Sequence, residues 1–236
     1  MRRGLVRSRS EAQHLIEAGK VSVAGIARPK PASSVAADTT IELASFERFA
    51  SRAGVKLAAA LDGFEIAVSG KSALDAGASA GGFTDCLLRR GAAHVAAVDV
   101  GRDQLRSELR LDSRVSVFEG VDISSADANE IGGPFDLVVA DLSFVSLCVV
   151  APALCALAKA DADVIALVKP QFEVGKAQVG RGVVGDPALR LAAVEKVTGC
   201  FGAAGLDTVR TMESPVTGEH GNQEYFLWAR KGVARP

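Results

Sequence analysis

Between Leu74 and Asp85 the chain reads LDAGASAGGFTD, a short apolar run that breaks into glycine and serine and then resumes as a helix-like stretch. This junction constrains the fold more than any other feature. A backbone that turns from strand to helix through Gly77, Ser79, Gly81 and Gly82 is the opening unit of a ligand-binding α/β sheet. Downstream, short runs rich in Val, Leu and Ala at 73–77, 94–100, 115–118, 135–141 and 164–169 are separated by helices or loops. They predict a parallel sheet covered on both faces. Near the C-terminus, 206–213 and 224–230 flank the turn at 217–222 and predict an antiparallel pair closing the sheet.

At 236 residues, 48% hydrophobic and 23% charged, the chain can hold one sizeable core plus a small appendage. No stretch approaches the roughly 18 apolar residues of a membrane span, and the basic N-terminus is not followed by a signal-peptide core. A soluble, cytoplasmic protein without a membrane partner is expected. Cys86, Cys148, Cys155 and Cys200 form no C-x-x-C pair and have no histidine at ligand spacing. They read as reduced core residues, with neither a disulfide frame nor a metal site.

The net charge of -1 conceals an asymmetry. Residues 1–56 carry ten Lys or Arg against five Asp or Glu, and the remainder seventeen against twenty-three. A polyanion-binding module on a mildly acidic domain would show this distribution. Ser8-Arg9-Ser10-Glu11 reads as a capping box, with Ala12, Leu15 and Ile16 at helical spacing and Gly19 as the stop. Strands follow at 20–25 and 35–43. Arg2, Arg3, Arg7, Arg9, Lys20, Arg28, Lys30 and, at the start of the next helix, Arg52 are the candidate phosphate contacts. The segment GLVRSRSEAQHLIEAGKVSVAGIARPKPASSV resembles the alpha-L RNA-binding module, apart from the opening helix that module usually carries. The domains expected are this module over 1–44, a connector over 45–55 and the main domain over 56–236.

Three chemistries compete for the glycine loop. Gly77, Ser79 and Gly81 have the G-x-S-x-G spacing of a hydrolase elbow, and Ser79, Asp141 and His220 follow the hydrolase chain order, but Ser79 ends the first strand of its domain rather than a central one. The glycine spacing also departs from the dinucleotide G-x-G-x-x-G. A methyl donor fits better: Asp75 and Asp85 put carboxylates beside the loop, and Asp99 stands where a ribose diol needs an acceptor. Such a lining suits a phosphate-free sulfonium, S-adenosylmethionine. Gly77, Ser79, Gly81, Gly82 and Phe83, with Asp75, are the candidates for its methionine part, Asp99 for its ribose and Asp122 for its adenine. No metal is called for.

Four blocks, LDAGASAGGFTDCLLRRGAAHVAAVDVG, DLVVADLSFVSL, LVKPQFEVG and SPVTGEHGNQEYFL, resemble in this order the TlyA or hemolysin A family of FtsJ-like ribosomal RNA methyltransferases. Ala53, Ala76 and Ala80 depart from that pattern. The resemblance implies a class I methyltransferase fold, Rossmann-like, with a seven-stranded mostly parallel sheet and an antiparallel C-terminal strand. It implies 2'-O-methylation of cytidine in small- or large-subunit ribosomal RNA, so that ribosomal RNA or a ribosomal subunit is the partner. The FtsJ-like enzymes use a Lys-Asp-Lys-Glu tetrad, and the matching motifs place it at Lys56, Asp141, Lys169 and Glu224.

A ribose hydroxyl ionises far above neutrality, so its methylation needs alignment and help with the proton, which a strand-end lysine beside an acid can supply. Base N-methylation is disfavoured by DLSF at the fourth strand end, and carbon-5 methylation by the apolar surroundings of Cys148. The segment 172–186, with Lys176 and Arg181, is expected to close over RNA. A membrane-active hemolysin and a non-catalytic RNA-binding factor stay open as alternatives.

Overall fold

The computed structural model describes residues 3–6, 9–17, 19–24, 26, 29–43, 49–180 and 182–232. Contacts divide the chain into two compact units, Met1–Arg48 and Phe49–Pro236.

The first unit holds a helix α1 (Arg9–Glu17) and two strands, β1 (Val21–Val23) and β2 (Ile41–Leu43), paired antiparallel with Val21 opposite Leu43. Leu15 and Val21 are its buried apolar anchors. The chain turns at Gly19, which takes φ 66 and donates to the Ile16 carbonyl, as a glycine stop should. The second strand is shorter than the expected 35–43: residues 35–40 are turn and largely exposed coil, with the Thr39 amide closing a turn on the Ala36 carbonyl and Arg3 donating to carbonyls of the same stretch in place of a strand partner. Ser8 of the capping box lies outside the described residues.

The second unit opens with α2 (Arg52–Phe64), the apolar helix expected to start at Ser51, whose first turn overlaps the segment read as a connector. Ser51 caps it by accepting from the Ala53 amide. Strands and helices then alternate: β3 (Ser72–Ala76), α3 (Gly82–Arg89), β4 (His94–Asp99), α4 (Ser107–Arg110), β5 (Val115–Glu119), β6 (Phe135–Ala140), α5 (Leu147–Leu157), β7 (Ala158–Val168), α6 (Pro170–Glu173), α7 (Pro187–Ala203), β8 (Leu206–Glu213) and β9 (Tyr225–Lys231). The sheet order is β5-β4-β3-β6-β7-β9-β8, parallel except that β9 runs antiparallel to both neighbours.

Strand periodicity sorts the core into two layers. Leu74, Ala76, Val98, Val138 and Ala140 face α5 and α7. Ala73, Val95, Ala97, Leu137 and Val139 face α2 and α3. From β3 the chain proceeds to β4 on one side and later to β6 on the other, so a crevice opens at the carboxyl ends of these strands, where such sheets bind ligands.

The cysteines depart from expectation. Cys148 in the first turn of α5 is bonded to Cys200 near the end of α7, with their Cα atoms 5.1 Å apart. Packing of α5 on α7 brings together two residues 52 positions apart, a proximity with no local spacing signal. Cys86 is buried and unbridged, and Cys155 is unbridged and partly buried.

Candidate active site

The glycine loop is held open by its own backbone. Gly77, Ser79 and Gly81 take φ of 88°, 44° and 90°, the left-handed region. A Cβ on Gly77 would stand 2.6 Å from the Asp141 carbonyl oxygen. This glycine therefore lets the loop after β3 lie directly against the end of β6, where the Asp141 amide donates to the Ala76 carbonyl. The Gly77 amide in turn donates to the Val98 carbonyl.

Beside the loop lies a cavity of about 460 Å³ lined by Gly77, Ser79, Asp99, Gln104, Asp122 and Asp141, with apolar walls that include Val98, Val121 and Leu142. No basic side chain is among the described residues lining it. Three carboxylates and no cation suit a positively charged, phosphate-free ligand. Asp99 accepts from the Ser79 amide at 2.8 Å and the Gly101 amide at 2.7 Å, so this acid shapes the loop it also faces. Asp122 accepts from the amide and hydroxyl of Ser124, and these bonds hold its carboxyl below the usual range.

The other residues assigned to donor binding lie behind the cavity wall. Asp75 is fully buried, pointing toward α3, where it accepts from Thr84 Oγ1 at 2.6 Å. Its second oxygen is buried without a hydrogen-bond partner. Burial pushes its pKa up to about 7 against the Thr84 bond, with the Asp141 and Asp99 charges adding to the rise. A Cβ on Gly81 would strike Leu105 and Leu109, and one on Gly82 would strike Ser51 Oγ. Phe83 is buried, its ring 6.4 Å from that of Phe226. These three positions pack the loop rather than line the cavity.

The four predicted catalytic residues come together as two ion pairs. Lys169 Nζ stands 2.7 Å from Asp141 Oδ1 and donates to Ser143 Oγ at 2.8 Å. Lys56 Nζ, on α2, stands 2.5 Å from Oε2 of Glu224, the residue immediately before β9. Glu224 is 2% exposed, and burial raises its pKa, while Lys56 and then Lys169 oppose the rise. Gly218 makes room for it: a Cβ there would lie 2.1 Å from a Glu224 carboxylate oxygen. Asp141 belongs to both the tetrad and the cavity lining, so the two sites share a wall.

Sequence reasoning missed Ser143 and Phe144. Phe144 takes φ 66, is 92% exposed, lines the cavity and holds its ring 5.2 Å from that of Phe172, the two planes tilted by 52°. An aromatic within DLSF carries no local mark of exposure, since the same letters suit a buried turn. Asp141 is paired with a lysine, and His220 sits in the β8–β9 turn with φ 57, so the Ser79, Asp141, His220 arrangement has no acid–histidine pair to support it.

Of the candidate RNA contacts, Arg9, Lys20, Lys30 and Arg52 are exposed. Arg3 donates to the carbonyls of Ala36, Ala37 and Thr39, so its guanidinium holds a turn of its own unit. Arg2, Arg7, Arg28 and Arg181 lie outside the described residues. Within the segment expected to close over RNA, Gly180 bridges to Val183, and Asn222 both accepts from the Val184 amide and donates to the Gly182 carbonyl. No described helix is long and apolar enough to cross a membrane, and no group of potential metal ligands occurs among the described residues.

A seven-stranded sheet with this order, a glycine loop after its first strand and an acid ending the second define an α/β methyltransferase. A family model described as FtsJ-like methyltransferase matches residues 49–231. The chain belongs to the FtsJ-like methyltransferase family. It is 52% identical over 238 residues to the 16S/23S rRNA (cytidine-2'-O)-methyltransferase TlyA of Mycobacterium tuberculosis, covering 100% of this chain and 89% of that protein. It is 38% identical to hemolysin A of Brachyspira hyodysenteriae over 94% of each chain. A solved structure from Streptococcus thermophilus, also bearing a hemolysin name, superposes with a TM-score of 0.78 at 36% identity, covering 98% of this chain and 86% of that one.

Proposed function

We propose that the protein transfers a methyl group from S-adenosylmethionine to the 2'-hydroxyl of a cytidine in ribosomal RNA. The observation that carries this reading is the shared wall: Asp141 lines the acidic cavity and at the same time pairs with Lys169 at 2.7 Å. A methyl-accepting oxygen beside that pair would lie at the mouth of the donor site. The RNA target itself is inferred from the relatives' activity.

The residues fit the donor. Gly77 and Ser79 leave backbone exposed at the cavity, the Asp99 carboxylate is the acceptor for ribose hydroxyls, and Asp122 stands at the adenine end. When bound, S-adenosylmethionine supplies an electrophilic methyl on a sulfonium. Lys169, held between Asp141 and Ser143, donates to the attacking hydroxyl and orients it, and the Asp141 carboxylate beside it accepts the hydroxyl proton as the new carbon–oxygen bond forms and the carbon–sulfur bond breaks. Lys56 neutralises Glu224, so the second acid can sit in the buried floor without repelling the substrate oxygen. The exposed Phe144 ring offers a flat face to the target base.

The N-terminal module over 1–44 supplies phosphate contacts through Arg9, Lys20 and Lys30, and Arg52 adds one from the catalytic unit. The site of action is the cytoplasm, where ribosomal subunits are.

The test is transfer of labelled methyl from S-adenosylmethionine to unmodified ribosomal subunits, followed by alkaline digestion. Ribose methylation leaves an alkali-resistant labelled dinucleotide, and Lys169→Ala abolishes it. Label in a base, or none in either subunit, overturns the reading. Leakage from lipid vesicles without methyl transfer would favour the membrane-active alternative.

A further inference from the structure

Glu173 lies four residues beyond Lys169, and no step proposed above uses it. It is nevertheless one of the most buried acids of the chain, with a side chain only 1% exposed. A buried carboxylate is retained only where its oxygens are satisfied, so its partners show what it does. Oε1 accepts from the Leu147 amide at 2.7 Å and Oε2 from the Ser146 hydroxyl at 2.6 Å. Lys196, on α7, donates to the Glu173 carbonyl at 2.7 Å and reaches Oε2 at 3.4 Å.

Ser146 and Leu147 are the N-cap and first residue of α5, so Glu173 caps a helix from a different part of the chain. The geometry matters because of what precedes each partner. The segment 141–146 carries Asp141 and Ser143, both in contact with Lys169. The single turn of α6, opened by Pro170 and closed by the Phe172 amide on the Lys169 carbonyl, carries the chain from Lys169 to Glu173. Asp141–Lys169 and Ser146–Glu173 are therefore two rungs between the same two segments, with the Phe144–Phe172 ring contact between them.

We infer that Glu173 is a positioning residue for methyl transfer: it straps the loop bearing Asp141 and Ser143 to the segment that begins at Lys169. This rests on the proposed function. The paired strands β6 and β7 fix the backbone up to Asp141 and Lys169, but without the strap the loop carrying Ser143 and the turn after Lys169 lose their cross-link, and the lysine side chain samples positions away from the donor cavity. A misplacement of about 1 Å can cost about 100-fold in rate. Gly77, Ser79 and Asp99, on the loop after β3 and at the end of β4, lie outside the strapped segments, whereas Asp141 to Val145 of the strapped loop also line the donor cavity, so the loss in rate is read against the loss in donor affinity.

The experiment compares Glu173→Ala, Glu173→Gln and Ser146→Ala with the wild type, measuring kcat for methyl transfer to ribosomal subunits and the affinity and stoichiometry of S-adenosylhomocysteine by calorimetry. In Glu173→Ala, kcat falls roughly 10- to 100-fold while S-adenosylhomocysteine still binds one per chain, with a Kd raised by a clearly smaller factor than the fall in kcat. Glu173→Gln, which keeps an acceptor for the Leu147 amide, falls between the two. If Glu173→Ala does not fold, Glu173→Gln and Ser146→Ala carry the same expectation. Unchanged kcat in folded variants, or kcat and donor binding lost in parallel in all three, overturns the inference and leaves Glu173 as a structural cap. A wild type that transfers no methyl overturns the proposed function itself, and this inference with it.

Discussion

Asp75 offers the sharpest test of the electrostatics, because a fully buried acid with one unpartnered oxygen should resist ionisation in the folded state only. Its folded pKa is pushed up to about 7, from an ordinary value of 3.8. The folded protein thus binds the extra proton between these values. The associated stability is fully present below about pH 4 and is lost as pH rises through 7. At about 1.4 kcal/mol per pH unit, the wild type should lose about 2–3 kcal/mol from this group between pH 5 and pH 8.

Asp75→Asn removes that dependence, since the amide stays neutral while its oxygen still accepts from Thr84. The amide hydrogens face a position with no acceptor and cost about 1–3 kcal/mol at every pH. The informative quantity is therefore the change in the mutant-minus-wild-type difference, from which the constant cost cancels. Denaturant unfolding of both proteins at pH 5 and pH 8 should show the variant gaining about 2–3 kcal/mol on the wild type at the higher pH. Parallel stability profiles for the two proteins would refute the assignment of a neutral Asp75.

Lys56→Met leaves Glu224 buried without its counter-ion and should destabilise by about 3–5 kcal/mol in denaturant unfolding, with Glu224→Gln in the same chain restoring most of the loss. Gly77→Ala forces a Cβ into φ 88° and to 2.6 Å from the Asp141 carbonyl oxygen, so calorimetry should show donor affinity reduced at least tenfold, by about 1.4 kcal/mol or more. Reduction of the Cys148–Cys200 bond, or Cys148→Ser, opens a loop of about 50 residues and should lower stability by about 2–4 kcal/mol; an unfolding midpoint indifferent to reductant refutes the bridge.

The strand–glycine–helix junction was legible because it is a local pattern. A left-handed turn calls for glycine, and strands buried on both faces call for continuous Val, Leu and Ala, so β3 to β6 follow almost directly from composition along the chain. The tetrad was legible only through the family resemblance, which implies its members. Nothing in the spacing of Lys56 and Glu224, 168 residues apart, says that they touch. Gly81, Gly82 and Phe83 were assigned to the donor because they belong to the same block as Gly77 and Ser79. One block serves two surfaces, however, and the glycines that admit Leu105, Leu109 and Ser51 are as necessary to the loop as the one that admits Asp141.

The sequence by itself determined the layered α/β sheet, the position of the glycine loop and the identities of the acids and lysines at the strand ends, since these depend on residue type and near-neighbour periodicity. Only the tertiary structure decided which acids face the cavity, which lysine each acid neutralises, that Cys148 meets Cys200 and that Glu173 caps a helix 26 residues away. Those outcomes depend on how separate elements pack, and packing places atoms by distance in space, which residue order alone does not encode.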